Sequence, residues 1–160
     1  MDQTSITTFR SLLHYGDGLT PGDAQRRAGQ LLPKCVSESQ LTWWTPSDPF
    51  PTVGVRILIG VAVWSMHDLK LLDAVDTAMR ELTRTKPVVH VFDVDTIWQP
   101  MWDLCIPGIG APSQTPVVGL WIDDVLQQYG CGYLGRKIVA EFFGLDMQEL
   151  VSKPSSTPAV

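Results

Sequence analysis

A serine, a histidine and an aspartate lie within one short turn of the sequence, at Ser65, His67 and Asp68. An apolar run ends just before this turn and a helical pattern of apolar residues begins just after it, so the turn joins a strand to a helix. These groups have the chemistry of a nucleophile, a base and an orienting acid, but neighbours along one turn rarely reach that geometry. They also fit a capping box, in which the Ser65 hydroxyl accepts from a free backbone N–H and the Asp68 carboxylate accepts from the N–H of residue 65. We expect the structural role.

Other reactive side chains are isolated. Cys35, Cys105 and Cys131 form no C-x-x-C pair and have no histidine pair beside them, so we expect no disulfide framework and no zinc site. Asp93 and Asp95 lie on one face of a predicted strand, but they lack a glycine-containing loop with further oxygen ligands. We therefore expect no metal there and interpret Asp95 or Thr96 as the cap of the next helix.

The elements around the turn form a β-α-β unit. The apolar pattern predicts a buried strand from Val53 to Val63, a helix from about Met66 to Thr83 and a strand from Pro87 to Val94. Two strands joined by such a helix should be parallel, with a right-handed crossover. A short helix around Thr96 to Leu104 and a loop from Ile106 to Gln114 follow.

The second half of the chain predicts a hairpin and a closing helix. Val117 to Ile122 and Val125 to Tyr129 flank Asp123-Asp124, which is the pattern of a two-residue turn. A helix from about Gly135 to Phe143 completes the core. The Ser/Pro-rich residues 151–160 have nothing to bury and predict a disordered tail.

The first 40 residues predict a polar, helical extension. Thr7 to Leu13 has helical spacing, and Pro21 to Leu32 forms a second helix with Thr20 as its N-cap. Ala24, Ala28, Leu31 and Leu32 would form its apolar face. A short strand from Leu41 to Thr45 follows this extension.

This order of elements, together with the turn, resembles the thioredoxin family. Trp64-Ser65-Met66-His67-Asp68 stands where thioredoxins carry Trp-Cys-Gly-Pro-Cys, and Asp93-Val94-Asp95 resembles their strand-ending Asn-Ile-Asp. Thr115-Pro116-Val117 lies where the family places a cis-proline, and Gly132 falls on the glycine that lines the family's substrate groove. The resemblance covers residues 41–150 and implies an α/β fold with a central mixed sheet flanked by helices, preceded by the helical extension of residues 1–40.

The departures from the family imply a loss of redox chemistry. Ser65 and Asp68 replace both cysteines, so this turn holds no sulfur for dithiol-disulfide exchange. Ile59 stands where redox thioredoxins bury an aspartate. The resemblance therefore implies a protein that is not a disulfide oxidoreductase at the usual site and that needs no cofactor.

The resemblance also implies that a partner-binding groove remains. An extended peptide could pair its backbone with residue 115 and place its side chains on the aromatic residues. The residues that the resemblance places around this groove are Trp64, Ser65, Met66, His67, Thr115, Pro116, Cys131, Gly132 and Tyr133. Trp98 and Trp102, on the short helix that borders it, are either further contacts or core residues beneath the N-terminal helices.

Three hypotheses follow for the function. The first is a non-catalytic protein-binding module that acts in assembly, in chaperone-like holding or as a subunit of a larger complex. The second is a monothiol oxidoreductase or redox sensor that uses Cys131. In the third, residues 1–40 dock onto the groove or onto another protein.

Composition narrows the partners and the compartment. The formal net charge is -5 and the basic residues are scattered, which argues against nucleic acid. The longest apolar run, Ile57 to Trp64, is far shorter than the about 20 residues that cross a bilayer. The first residues, Met1 to Thr4, do not resemble a secretory signal. We expect a soluble intracellular protein, with the cytoplasm favoured and an organelle interior left open, and a protein or extended peptide as partner.

Overall fold

The computed structural model describes residues 8–13, 18–45, 47, 53–96 and 114–148. Several predictions concern residues outside these ranges. They are the short helix with Trp98 and Trp102, Cys105, nearly all of the loop from Ile106 to Gln114, and the tail at 151–160.

A five-stranded mixed sheet forms the centre of the fold. The strands are β1 (Thr42–Trp43), β2 (Val55–Val61), β3 (Val88–Asp93), β4 (Val117–Ile122) and β5 (Val125–Cys131), in the spatial order β1-β3-β2-β4-β5. β3 is parallel to both β1 and β2, whereas β4 is antiparallel to β2 and to β5. The predicted β-α-β unit, the hairpin and the thioredoxin-like α/β fold are thereby confirmed.

The hairpin turn has the backbone conformation that its two adjacent aspartates predict. Asp123 and Asp124 have φ angles of 48° and 69°. A two-residue turn with two positive φ angles matches the right-handed twist of the flanking strands, and aspartate tolerates this backbone region better than most residues. The Asp123 side chain also accepts a hydrogen bond from the Gly54 N–H at 2.7 Å, which ties the turn to the start of β2.

In the part of the chain that the structure describes, three α-helices and one 3-10 helix surround the sheet. They are the 3-10 helix Phe9–Leu12, α1 (Pro21–Ser37), α2 (Met66–Glu81) and α3 (Tyr133–Phe143). Thr20 caps α1 as predicted, because its hydroxyl accepts from the Asp23 N–H at 3.1 Å. Within the described residues, none of the helices combines the length and the apolar character that a membrane crossing requires.

Three boundaries of the α-helices differ from the prediction, and one of them is the end of α2, which lies at Glu81 instead of Thr83. α1 was expected to end at Leu32, but it continues through Pro33 to Ser37. Cys35 and Val36 are both buried in the core, so tertiary packing outweighs the hydrogen bond that a proline removes. α3 begins at Tyr133, two residues before the predicted start.

The sheet is apolar on both faces. Along β2, Ile57, Ile59 and Val61 face one cluster of buried residues, which includes residues of all three α-helices. Leu58 and the following Ala62 face a second cluster, built around Trp44, Phe92, Val117 and Trp121. A strand buried on both faces has a continuous apolar sequence, which is the pattern observed from Ile57 to Val63.

The N-terminal helices share this core. Ala24, Ala28 and Leu32 of α1 are fully buried, while Leu31, predicted to lie on the same face, is 41% exposed. Asp73 of α2 fastens the 3-10 helix, because its carboxylate accepts from the backbone N–H groups of Phe9 at 2.6 Å and Arg10 at 3.0 Å. Residues 1–40 were predicted as an extension, and their described part packs on the same body.

Candidate functional site

The turn between β2 and α2 is a helix cap whose carboxylate faces inward. The Ser65 hydroxyl accepts from the Asp68 N–H at 3.3 Å, as the capping box predicts. The other half of the box was wrong: Asp68 Oδ2 accepts from the Ala62 N–H at 2.9 Å, not from Ser65. The Ser65 N–H is already used, since it donates to the Ala62 carbonyl at 2.9 Å. Asp68 therefore anchors the helix to the end of β2.

Asp68 is completely buried at this position. Burial raises its pKa above the ordinary aspartate value, because a low-dielectric surrounding disfavours the charged carboxylate. The Ala62 N–H, the side chains of Thr115 and Ser65, and the charge of Arg136 offset part of this effect. Position 68 thus holds a carboxyl group that favours its proton.

The residue types of a catalytic triad are present here, but the bonds are those of a cap. The Ser65 hydroxyl accepts from the backbone, and the Asp68 carboxylate accepts from the strand that precedes it. His67 is exposed on the first turn of α2. The geometry favours the structural role over a Ser/His/Asp group.

The segment at Thr115 and Pro116 lies next to the turn. The Thr115–Pro116 peptide bond is cis, as the resemblance implies. Thr115 is close enough to Asp68 for its side chain to favour the ionised carboxylate. The Pro116 carbonyl accepts from the Gly132 N–H at 3.0 Å. A continuous series of contacts therefore connects Ser65 and Asp68 with Thr115, Pro116 and Gly132.

Position 132 requires glycine because of its backbone conformation and because of the Gln114 side chain that packs against it. Its φ of 63° and ψ of -131° lie in a region that is essentially restricted to glycine. A Cβ at this position would collide with the Gln114 side chain. Gln114 thus lies directly over Gly132, at the place where the resemblance locates the groove.

Aromatic side chains flank these residues. Trp64 is 52% exposed and Tyr133 is 55% exposed. Met66 is half-buried and packs against the first cluster instead of facing solvent. Trp98 and Trp102 lie outside the described residues, so both accounts of their position stay predictions.

The two described cysteines differ in their environment. Cys131 is half-buried, lies opposite Val117 in the sheet and packs against the second cluster. Cys35 is buried as predicted, and burial raises its pKa to about 12, with smaller contributions from Asp73, Glu38 and Asp76. A thiol with that pKa is almost entirely protonated near neutrality and is a poor nucleophile.

Asp93 closes a turn at the end of β3. It is buried, and burial raises its pKa. Its carboxylate accepts from the Asp95 N–H at 2.9 Å. The helix that Asp95 or Thr96 was expected to cap lies outside the described residues, so that role stays a prediction. Within the described ranges, no group of three or more histidine, cysteine or acidic side chains could hold a metal ion.

Three residues beside the turn were missed or undervalued by the sequence interpretation. Asp68 was treated as a cap, although its place at the second cysteine position of the family indicated burial. Gln114 was the last residue of a predicted loop, with nothing to indicate its contact with Gly132. Arg136 acts on Asp68 through its charge from α3, a contact that depends on tertiary structure alone.

Comparisons with known proteins add a likeness in structure. No protein-family model matches the sequence, and no curated protein matches it significantly. The chain is similar to a solved structure described as the crystal structure of ERdj5 form II, with 19% sequence identity and a TM-score of 0.46. The alignment covers 89% of this chain and 19% of that chain, so this chain spans about a fifth of its length. The fold assignment comes from the strand order and helix positions described above.

Proposed function

We propose that this chain is a thioredoxin-like protein-binding module without dithiol-disulfide chemistry at the usual site. The observation that carries the proposal is the turn at Ser65 and Asp68. Both cysteine positions hold oxygen-bearing side chains, and the second of these is a buried carboxyl group beside Thr115. Such a turn has no sulfur to attack a disulfide, but it still supports the neighbouring cis-proline segment.

The surface next to this turn suits an extended peptide. Trp64 and Tyr133 expose large aromatic surfaces, which gain favourable free energy when apolar side chains cover them. The backbone at Thr115 would supply hydrogen bonds to a strand laid beside it, and the aromatic residues would select its side chains. A module of this kind would act in protein assembly, in holding a client chain, or as a subunit of a complex. The intracellular location belongs to the same proposal.

Peptide selection on the purified chain tests this proposal. A displayed random peptide library would be enriched on the wild type, and the affinity of a selected peptide would be measured by isothermal titration. We expect Trp64→Ala to weaken that peptide at least about tenfold, which corresponds to about 1.4 kcal/mol, with little change in thermal unfolding.

Tyr129→Ala is the matched control. Tyr129 is another exposed aromatic residue, at 46%, but it lies on β5 outside the proposed groove. It should leave peptide affinity unchanged. Equal effects of the two substitutions, or catalytic reduction of insulin by the wild type, would overturn the proposal.

A monothiol role for Cys131 is the second candidate. The observation in its favour is that Cys131 is only half-buried and precedes Gly132. Its packing against the apolar second cluster favours the binding module instead. If Cys131→Ser abolishes function while Trp64→Ala leaves it intact, the monothiol role replaces the first proposal.

A further inference from the structure

The outer edge of β5 borders a cavity between this strand and α3. A cavity of about 370 Å³ is lined by Tyr129 of β5 and by Leu134 and Ile138 of α3. Gln128, which also lines the cavity, lies opposite Leu120 on the side of the first cluster, where α3 packs. Among the described residues, β5 pairs with β4 alone.

The β5 strand lacks the side chains that usually protect an edge. Its seven residues include no charged residue and no proline. Val125 is 59% exposed and Tyr129 is 46% exposed. A register shift opposite Leu120 and Trp121 disturbs the first part of the strand, so the regular pairing surface begins at Gln128. The bulge blunts that first part of the edge, whereas the regular part from Gln128 to Cys131 is of the kind to which another strand is added.

The two charged side chains beside this edge have opposite signs, which suits pairing with a second copy of the chain. Lys137 and Glu141 are exposed one turn apart on α3, and both line the same cavity. Neither has an ion-pair partner in the part of the chain that the structure describes. In a pair related by a two-fold axis, a contact between one residue of the first copy and another residue of the second copy is repeated with the copies exchanged. With the two α3 helices antiparallel, Lys137 of each copy would therefore approach Glu141 of the other.

We propose that the β5 edge binds a second copy of this chain, by antiparallel pairing of the two β5 strands with α3 of each copy beside α3 of the other. The resulting sheet is continuous through both copies. An uncharged strand suits this occupant, because identical strands then meet without like-charge repulsion. The Lys137–Glu141 contacts fix the orientation, since the opposite alignment would place like charges together.

This surface adjoins the proposed groove at Cys131, but its centre lies elsewhere. The groove centres on Trp64, Thr115 and Gly132, whereas the edge centres on Gln128, Tyr129 and Leu134. The groove would therefore remain available in the dimer. Failure of either proposal leaves the other standing.

Sedimentation velocity over a concentration series tests the proposal on the full chain. We expect the wild type to show a reversible monomer–dimer equilibrium. Lys137→Glu should raise the dissociation constant at least about tenfold, because it places two glutamates opposite each other. The double variant Lys137→Glu/Glu141→Lys should restore the wild-type value. Lys34→Glu, the same charge change at an exposed position of α1, is the control and should have no effect.

Gln128→Lys provides an independent test at the strand itself. It places a positive charge on each edge without altering α3, so it should also weaken the dimer. A wild type that stays monomeric at its highest soluble concentration would overturn the proposal. So would a dimer that Gln128→Lys leaves unchanged, or a double charge reversal that fails to restore association.

Discussion

The buried carboxyl group of Asp68 lies beside the side chain of Thr115, so the first turn of α2 meets the residue that precedes the cis-proline. In a redox-active thioredoxin a cysteine would stand at position 68. Here the same location holds an acid that bonds the end of β2 and supports the segment at residues 115–116. Its protonation is therefore linked to the stability of the surface proposed for binding.

Asp68→Asn should stabilise the protein at neutral and alkaline pH. Because the folded-state pKa of Asp68 is raised, the folded chain binds its proton more tightly than the unfolded chain does. The contribution of Asp68 to wild-type stability should thus be fully present below its unfolded-state pKa and be lost as the pH rises through the folded-state pKa. Each unit of pKa difference corresponds to about 1.4 kcal/mol. Urea unfolding from pH 4 to pH 9 would measure this slope.

In Asp68→Asn, the unfolding free energy should no longer change with pH through residue 68, because the amide carries no charge at any pH. The amide oxygen can still accept a hydrogen bond from the Ala62 N–H, so the contact with the end of β2 is kept. Asp146→Asn, on an exposed residue after α3, is a suitable control and should keep the wild-type slope. Identical slopes for wild type and Asp68→Asn would show that Asp68 does not titrate in this way.

Gly132→Ala should destabilise the fold by about 1 to 3 kcal/mol. The alanine would have to adopt a positive φ, and its Cβ would collide with Gln114. Adding Gln114→Ala should remove the collision but not the backbone strain, so the double variant should recover only part of the loss.

Gly22→Ala is the matched control for that series. Gly22 lies in the first turn of α1, and a Cβ there would be 4.0 Å from its nearest neighbour, Thr20 Oγ1. Chemical denaturation should show no destabilisation, because alanine favours a helix more than glycine does. If Gly132→Ala were as neutral as Gly22→Ala, the close packing over residue 132 would be refuted.

Asp73→Ala should release the 3-10 helix from α2 at a cost of about 2 to 3 kcal/mol. Two backbone N–H groups and the Arg10 guanidinium donate to this carboxylate, and its side chain is only 13% exposed. Amide hydrogen exchange at Phe9 and Arg10 should accelerate in the variant. Asp23→Ala, which removes an exposed ion pair with Arg26, should leave that exchange unchanged.

Restoring both sulfurs should restore a disulfide. In Ser65→Cys/Asp68→Cys the two side chains would share one helical turn, where the Ser65 hydroxyl already approaches the Asp68 N–H at 3.3 Å. Mild oxidation should lower the mass by two hydrogens, and dithiothreitol should reverse the change. Ser65→Cys/Asp68→Ser, with a single added thiol, should not respond. A double variant that stays reduced would contradict the turn geometry described here.

The strands and the hairpin were predictable because local sequence decides them. Continuous apolar residues specify β2 as a strand buried on both faces, and two adjacent aspartates specify the turn between β4 and β5. The cap at Ser65 is local as well. The end of α1 was not predictable in this way, since the burial of Cys35 and Val36 carries the helix past Pro33.

The site was predictable only as far as its motif extends. Ser65, Thr115 and Gly132 could be placed by resemblance because they occupy the turn, the cis-proline segment and the groove glycine. The inward orientation of Asp68 could not be placed, because it depends on the Ser65 N–H being occupied by Ala62. The contacts of Gln114 and Arg136 join segments that are distant or irregular in sequence, where no periodicity exists to indicate them.

The burial of Ala24, Ala28 and Leu32 limits the roles that α1 can have in the protein. A helix that contributes residues to the hydrophobic core cannot dissociate to bind a client protein while the rest of the domain stays folded. A shortened product that starts at residue 41 would show bare apolar surface and would aggregate. A label attached to an exposed residue of α1, such as Lys34, would therefore report on the motion of the entire folded unit.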